Sequence, residues 1–180
     1  LFIQWGFSQV FPAKTMCAHV TTWNKNSSVK FRTDVAMMCK LGFDIKLADM
    51  SKDDETYCRT AVQNYNRLKP VVLEGDMYRL VSPYGSNHTS TMYVGKDKDK
   101  AAVFAFDIHP RYAEKILPVR LQGLDADKMY RVKEINLMPG ANSSLSGNGE
   151  VFSGEFLMNV GLNLFTAQQL NSRVIEVVAE

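Results

Sequence analysis

The hydrophobic pattern changes along the chain, and the change divides it. The first eleven residues, LFIQWGFSQVF, are apolar and aromatic-rich and are stopped by Pro12. A second such run, TMCAHVTTW, covers 15–23. Each has the length of a strand and neither alternates cleanly, as in parallel-sheet strands covered on both faces. After the loop 24–28, Phe31, Val35, Met38 and Leu41 recur at helical spacing, and Gly42 stands where a helix-ending glycine belongs. A second helix should start at Ser51, with Asp54 as the capping partner three residues on. Tyr57, Ala61, Tyr65 and Leu68 mark its buried face, and Pro70 is expected to end it.

Past Glu74 the pattern turns to short runs rich in Val, Tyr, Phe and Ile. Segments 77–83, 90–95, 101–108, 117–123, 129–136 and 173–179 read as strands, with 154–162 a weaker one. KDKDK (96–100) forms a charged hairpin turn, and DADK (125–128) is another turn. About seven such strands predict an antiparallel β-sandwich. The chain is therefore expected to be mostly β. Residues 1–75 form an α/β unit whose two strands cannot complete a sheet alone, and residues 76–180 form the sandwich.

Composition narrows the function classes. With 46% hydrophobic and 22% charged residues the chain is globular. A net charge of +2 offers no basic face for nucleic acid. No apolar run reaches the roughly 18 residues of a membrane span. Three cysteines without a CxxC, at 17, 39 and 58, read as free thiols. That usage fits a bacterial cytoplasm or periplasm equally. The three histidines lie far apart in sequence and propose no metal site. The sequons at Asn26, Asn87 and Asn142 read as loop polarity. The chain opens on Leu1 without a basic n-region, which reads as a cut inside a longer protein.

Candidate chemistry is sparse. Asp53, Asp54 and Glu55 sit in a helix's first turn, where acids suit the dipole. Glu74 and Asp76 flank a junction glycine and read as a polar turn. Cys17 and His19 share a strand face but lack an orienting third group. There is no nucleophile elbow, P-loop or dinucleotide fingerprint. Trp5 and Trp23 could each stack on a sugar ring, or be buried in a core or an interface.

The order of several local patterns resembles the C-terminal part of the glycoside hydrolase family 36 α-galactosidases. They are IQWGFSQVFP (3–12), MCAHV (16–20), FRTDVAMMCKLGFDI (31–45), NRLKPVVLEGDMYRLVSP (66–83), VRLQGLDADKMYRVKEIN (119–136) and FSGEFLMNVGL (152–162). One passage departs: where the family often reads PNHQTGR, this chain reads NKNSSVK. The resemblance implies that residues 1–75 close a (β/α)8 barrel, with 3–10 as its seventh strand and 16–22 as its eighth. It implies a retaining hydrolysis of terminal α-linked galactose by two aspartates roughly 5–5.5 Å apart. Both would precede Leu1, so no catalytic residue is carried over and the chain alone is expected to be inactive. Neither a metal nor an organic cofactor is implied. Trp5 and His19 are candidate sugar contacts, with Ser8, Gln9 and Thr21 near the strand ends. The implied partners are α-galactoside oligosaccharides, the rest of the barrel, and a second copy through the cut edge. The other reading is a stand-alone carbohydrate-binding sandwich.

Overall fold

The computed structural model describes residues 1–23, 26–166 and 168–180. The loop expected over 24–28 falls partly on residues 24 and 25, outside those described. The N-terminal run is not a strand. Helix α1 spans Phe2–Phe7. Leu1, Gln4, Trp5 and Ser8 line one space against the sheet, which is helical spacing. Phe2, Ile3 and Phe7 stay exposed. An apolar run without alternation fits a buried strand and a helix alike, and helical period decides here.

Strand β1 (Cys17–Thr21) pairs in parallel with β2 (Lys40–Asp44), and helix α2 (Val29–Ala36) connects them. The helix expected through Leu41 therefore stops at Ala36, and Gly42 belongs to a strand. Gly42 lies opposite His19. A Cβ there would meet the His19 ring as it stands, and glycine leaves that ring room to lie over the strand. The parallel partner of 17–21 is thus 40–44 and not 3–10.

Helix α3 (Lys52–Glu74) begins as its sequence requires, with the Ser51 hydroxyl accepting from Asp54 N at 3.1 Å. It runs through Pro70 and stops at Gly75. Pro70 removes one bond to the Asn66 carbonyl. Both residues face solvent, so water can take that carbonyl, while Val71 and Val72 beyond are buried. Among the described residues no helix is long and apolar enough to cross a membrane.

The remaining strands form one antiparallel sheet in the order β3-β4-β5-β8-β6-β7. They are β3 (Asp76–Val81), β4 (His88–Val94), β5 (Lys100–Asp107), β6 (Met129–Ile135), β7 (Val151–Ser153) and β8 (Asn171–Ala179). The charged turn closes the β4–β5 hairpin, and a turn is also present at 126–127, just before β6. No second sheet faces this one among the described residues. Segment 117–123 contributes one bridge, Val119 to Leu162, and 154–162 carries a short helix α4 (Gly154–Asn159). Its start is capped by Ser153, which accepts from Phe156 N. These pieces supply Leu121, Leu124, Leu157, Leu162 and Leu164 to one sheet face, against Val103, Val132 and Ile175. The arrangement is sandwich-like, with loops where a second sheet was expected.

The other face belongs to the helices. Phe104, Phe106, Tyr93 and Val174 meet Leu68, Val71 and Val72 of α3 and Phe31 of α2. The first half of α3 packs instead on the strand pair, through Tyr57 and Ala61 against Val20. One helix thus serves both sheets. The junction also holds a buried carboxylate. Asp34 of α2 is fully buried and accepts from Tyr57 Oη at 2.8 Å, Ser172 Oγ at 2.7 Å and Asn136 Nδ2. Lys30, one turn earlier, supplies the counter-charge at 2.5 Å. Burial, then the Asp34 charge, pushes the Tyr57 hydroxyl well above its ordinary pKa and keeps it a donor. Asp34→Ala would strand three donors and a cation, and should destabilise the fold by about 3–5 kcal/mol in urea unfolding. Removing the exposed Lys52 side chain should change it by less than about 0.5 kcal/mol.

Candidate functional site

The β1–α2–β2 unit has one covered face and one open face. Ala18, Val20, Leu41 and Phe43 point at α2 and α3. Alternation then puts Cys17, His19 and Thr21, with Lys40, Gly42 and Asp44, on the other side. Cys17, His19, Lys40 and Asp44 are exposed. These residues are polar or small, unlike a face built for a helix.

Both strands run the same way, so their C-terminal ends, Thr21 and Asp44, lie together. A cavity of about 340 Å³ opens there, lined by Thr21, Thr22, Ser28, Arg32, Lys46 and Asp49. Ser28 caps α2 by accepting from Phe31 N at 3.1 Å. Arg32 donates to the Thr21 carbonyl and so ties the helix to the strand end. Hydroxyls, a guanidinium, an ammonium and a carboxylate at one strand end can hydrogen-bond a polar ligand. Asp54, in the first turn of α3, adds a second carboxylate to the lining. Among the described residues no three His, Cys, Asp or Glu side chains gather to hold a metal.

The residues singled out from the sequence are scattered. His19 stands on the open face over Gly42. Trp5 is half-buried in a narrow space between α1 and the large sheet, beside Met38, Met77 and Phe106. Ser8 is buried and accepts from Arg79 Nε at 3.0 Å, tying α1 to β3. Gln9 is exposed just past α1, and Trp23 is exposed just past β1. Thr21 and Asp54 line the strand-end cavity. Glu74 pairs with Lys14 and Asp76 with Lys96 at the surface. Sequence reasoning missed Arg32 and Asp49, which only the strand–helix–strand connection brings to Thr21. It also missed a buried pair, His88 and Asp107, at 2.7 Å.

All three cysteines are free thiols. Burial raises the Cys39 thiol, and burial with the Asp54 charge pushes Cys58 up to about 11. Cys17 alone is exposed.

Comparison with known proteins places this geometry. Residues 88–177 match the glycosyl hydrolase family 36 C-terminal domain, and residues 1–75 match melibiase. The chain is 32% identical over 179 residues to alpha-galactosidase 2 of Hypocrea jecorina, covering 96% of this chain and 22% of that protein. It is 28% identical over 152 residues to alpha-galactosidase AgaA of Geobacillus stearothermophilus, covering 82% and 21%. The crystal structure of a substituted AgaA in complex with stachyose superposes with a TM-score of 0.85 at 27% identity, over 99% of this chain and 24% of that one. A raffinose complex of AgaA gives 0.84 at 26% identity, with the same coverage. The chain thus spans about a quarter of the length of the relatives it matches. With half of its residues matched to that C-terminal domain, the chain belongs to glycosyl hydrolase family 36.

Proposed function

We propose that this chain is the C-terminal part of a retaining α-galactosidase acting on galactoside oligosaccharides such as raffinose and stachyose. Residues 1–75 are the end of its (β/α)8 barrel, and residues 76–180 are the domain that follows. The last two barrel strands are then β1 and β2. The observation that carries this reading is the half-open β1–α2–β2 unit. Its outer face is covered by helices, and on its inner face Cys17, His19, Lys40 and Asp44 are exposed. A parallel pair needs both faces covered. The exposed Phe2, Ile3, Phe7 and Phe11 of the N-terminal segment need a neighbour as well.

Barrel enzymes build their sites at the C-terminal strand ends. In this reading Thr21, Arg32 and Asp49 border the sugar site from one side, with His19 deeper on the inner wall. They would position a galactosyl group by hydrogen bonds. The nucleophile and the acid/base lie on barrel strands outside these residues, so the chain supplies shape and contacts and not the two carboxylates.

Hydrolysis of a nitrophenyl α-galactoside tests the reading. The protein extended upstream through a whole barrel should release chromophore, and these 180 residues alone should not. Release by the short chain, or silence from both, contradicts it. Thiol labelling gives a second test. In the chain alone Cys17 should react first at pH 8. Cys58, titrating at about 11, should hold only about a thousandth of its thiol as thiolate there and lag far behind. In the extended protein Cys17 should become protected, because the open face turns into the barrel interior. Equal reactivity of Cys17 in both forms would show that this face stays outside.

A further inference from the structure

We propose that the sheet half of the chain carries a saccharide-binding pocket of its own, built on His88, Glu114 and Phe165. The antiparallel register of β4 and β5 sets His88 opposite Asp107. His88 Nδ1 lies 2.7 Å from Asp107 Oδ1. Asp107 also accepts from Thr166 N at 3.0 Å and Thr166 Oγ1 at 2.7 Å, which fixes it as an acceptor. A carboxylate in that role leaves the proton on Nδ1 and turns Nε2 the other way. Phe165 stacks on the imidazole, ring centres 4.7 Å apart.

His88 is only 4% exposed, and its Nε2 has no hydrogen-bond partner. An unpaired buried polar atom is costly to keep, so its persistence calls for an explanation. The nearest charged group is Glu114 Oε2, 3.6 Å away, too far for a hydrogen bond. Glu114 is itself held in place by Arg111 N at 2.9 Å and Asn87 Nδ2 at 3.1 Å. Those donors, Arg111 first, lower its pKa and keep it ionised.

His88 and Glu114 form part of the wall of a cavity of about 420 Å³. Small-molecule sites have this size and this mixture of apolar walls with a few polar groups. Leu80, Ile116 and Phe165 supply the wall, and Lys115, Arg120 and Gln122 the donors. The balance of groups selects the ligand. An anion would meet Glu114, and a cation would meet Lys115 and Arg120. A neutral molecule with several hydroxyls satisfies both. One hydroxyl donates to Nε2 and its neighbour to Glu114, as a vicinal diol does, while an apolar sugar face lies along Phe165. Glu114 lies beside Nε2 and is 24% exposed, and turning it aside, at the cost of its bonds from Arg111 N and Asn87, opens Nε2 to the hydroxyl.

The pocket lies away from the strand pair. His88 shares its face of β4 with Ser90, Met92 and Val94, and the helices cover the opposite face. The site therefore does not depend on the barrel reading.

Nuclear magnetic resonance of the protein titrated with galactose, glucose and melibiose tests the proposal. The ring signals of His88 and Phe165 should shift saturably with at least one sugar, with magnetisation transfer from the Phe165 ring to sugar C–H protons. Glu114→Gln should raise the dissociation constant by about tenfold with the melting temperature unchanged. Phe165→Leu, which keeps the apolar wall, should abolish the transfer and weaken binding. Unshifted His88 and Phe165 signals with all three sugars would overturn the proposal. So would shifts confined to His19 and Trp23 on the other half, or equal binding by Glu114→Gln and the unsubstituted protein.

Discussion

A buried charge must be satisfied from several directions at once, and in this chain that demand falls on Asp34. Its carboxylate draws Tyr57 from α3, Ser172 from β8, Asn136 from the end of β6 and Lys30 from its own helix. Three of these come from other elements, two of them far along the chain. None can move without leaving a buried donor unpaired. The apolar contacts on either side are looser in what they accept, since burial is not directional. The carboxylate therefore fixes where α2 sits on the sheet, and the packing of α3 follows.

The same layer explains how two unlike halves make one body. The first half of α3 covers the parallel strands, and its second half covers the large sheet. Tyrosine hydroxyls fasten the segment between α2 and β2 from both sides. Tyr93 of β4 donates to the Met38 carbonyl at 2.7 Å, and Tyr65 of α3 to the Cys39 carbonyl at 2.9 Å. The parallel pair keeps its shape because the helices on one of its faces are held in turn by the large sheet. Its other face carries the exposed Cys17, His19, Lys40 and Asp44.

Elements with one clear period were legible in the sequence. Helix α3 announces itself by Tyr57, Ala61, Tyr65 and Leu68 and by its Ser51 cap, and β4 and β5 by the charged turn between them. Elements with two competing signals were not. Helix α1 is apolar on its exposed side too, so its helical spacing is masked. Strand β2 hides because Gly42 imitates a helix end when it actually makes room for His19. Pro70 imitates a stop, and the buried Val71 and Val72 overrule it. The family was legible from local patterns in order, although the strand expected over 3–10 is helix α1. Within the candidate sites, Thr21 was visible as a strand end. Arg32 was not, because it reaches Thr21 across a connection that sequence spacing does not reveal. The His88–Asp107 pair was recoverable. A hairpin centred on the 96–100 turn pairs residues whose numbers sum to 195, as with Val94 and Ala101, and that count joins 88 to 107.

The helical layer makes both halves one cooperative unit. Native-state hydrogen exchange tests it most directly, because it reads the opening free energy of each segment separately. Amides of α2, of both halves of α3, and of β5 and β8 should share one opening free energy and exchange together. If α2 and the first half of α3 open in a separate step of lower free energy, while β5 and β8 stay protected, the halves fold independently and the helical layer does not couple them.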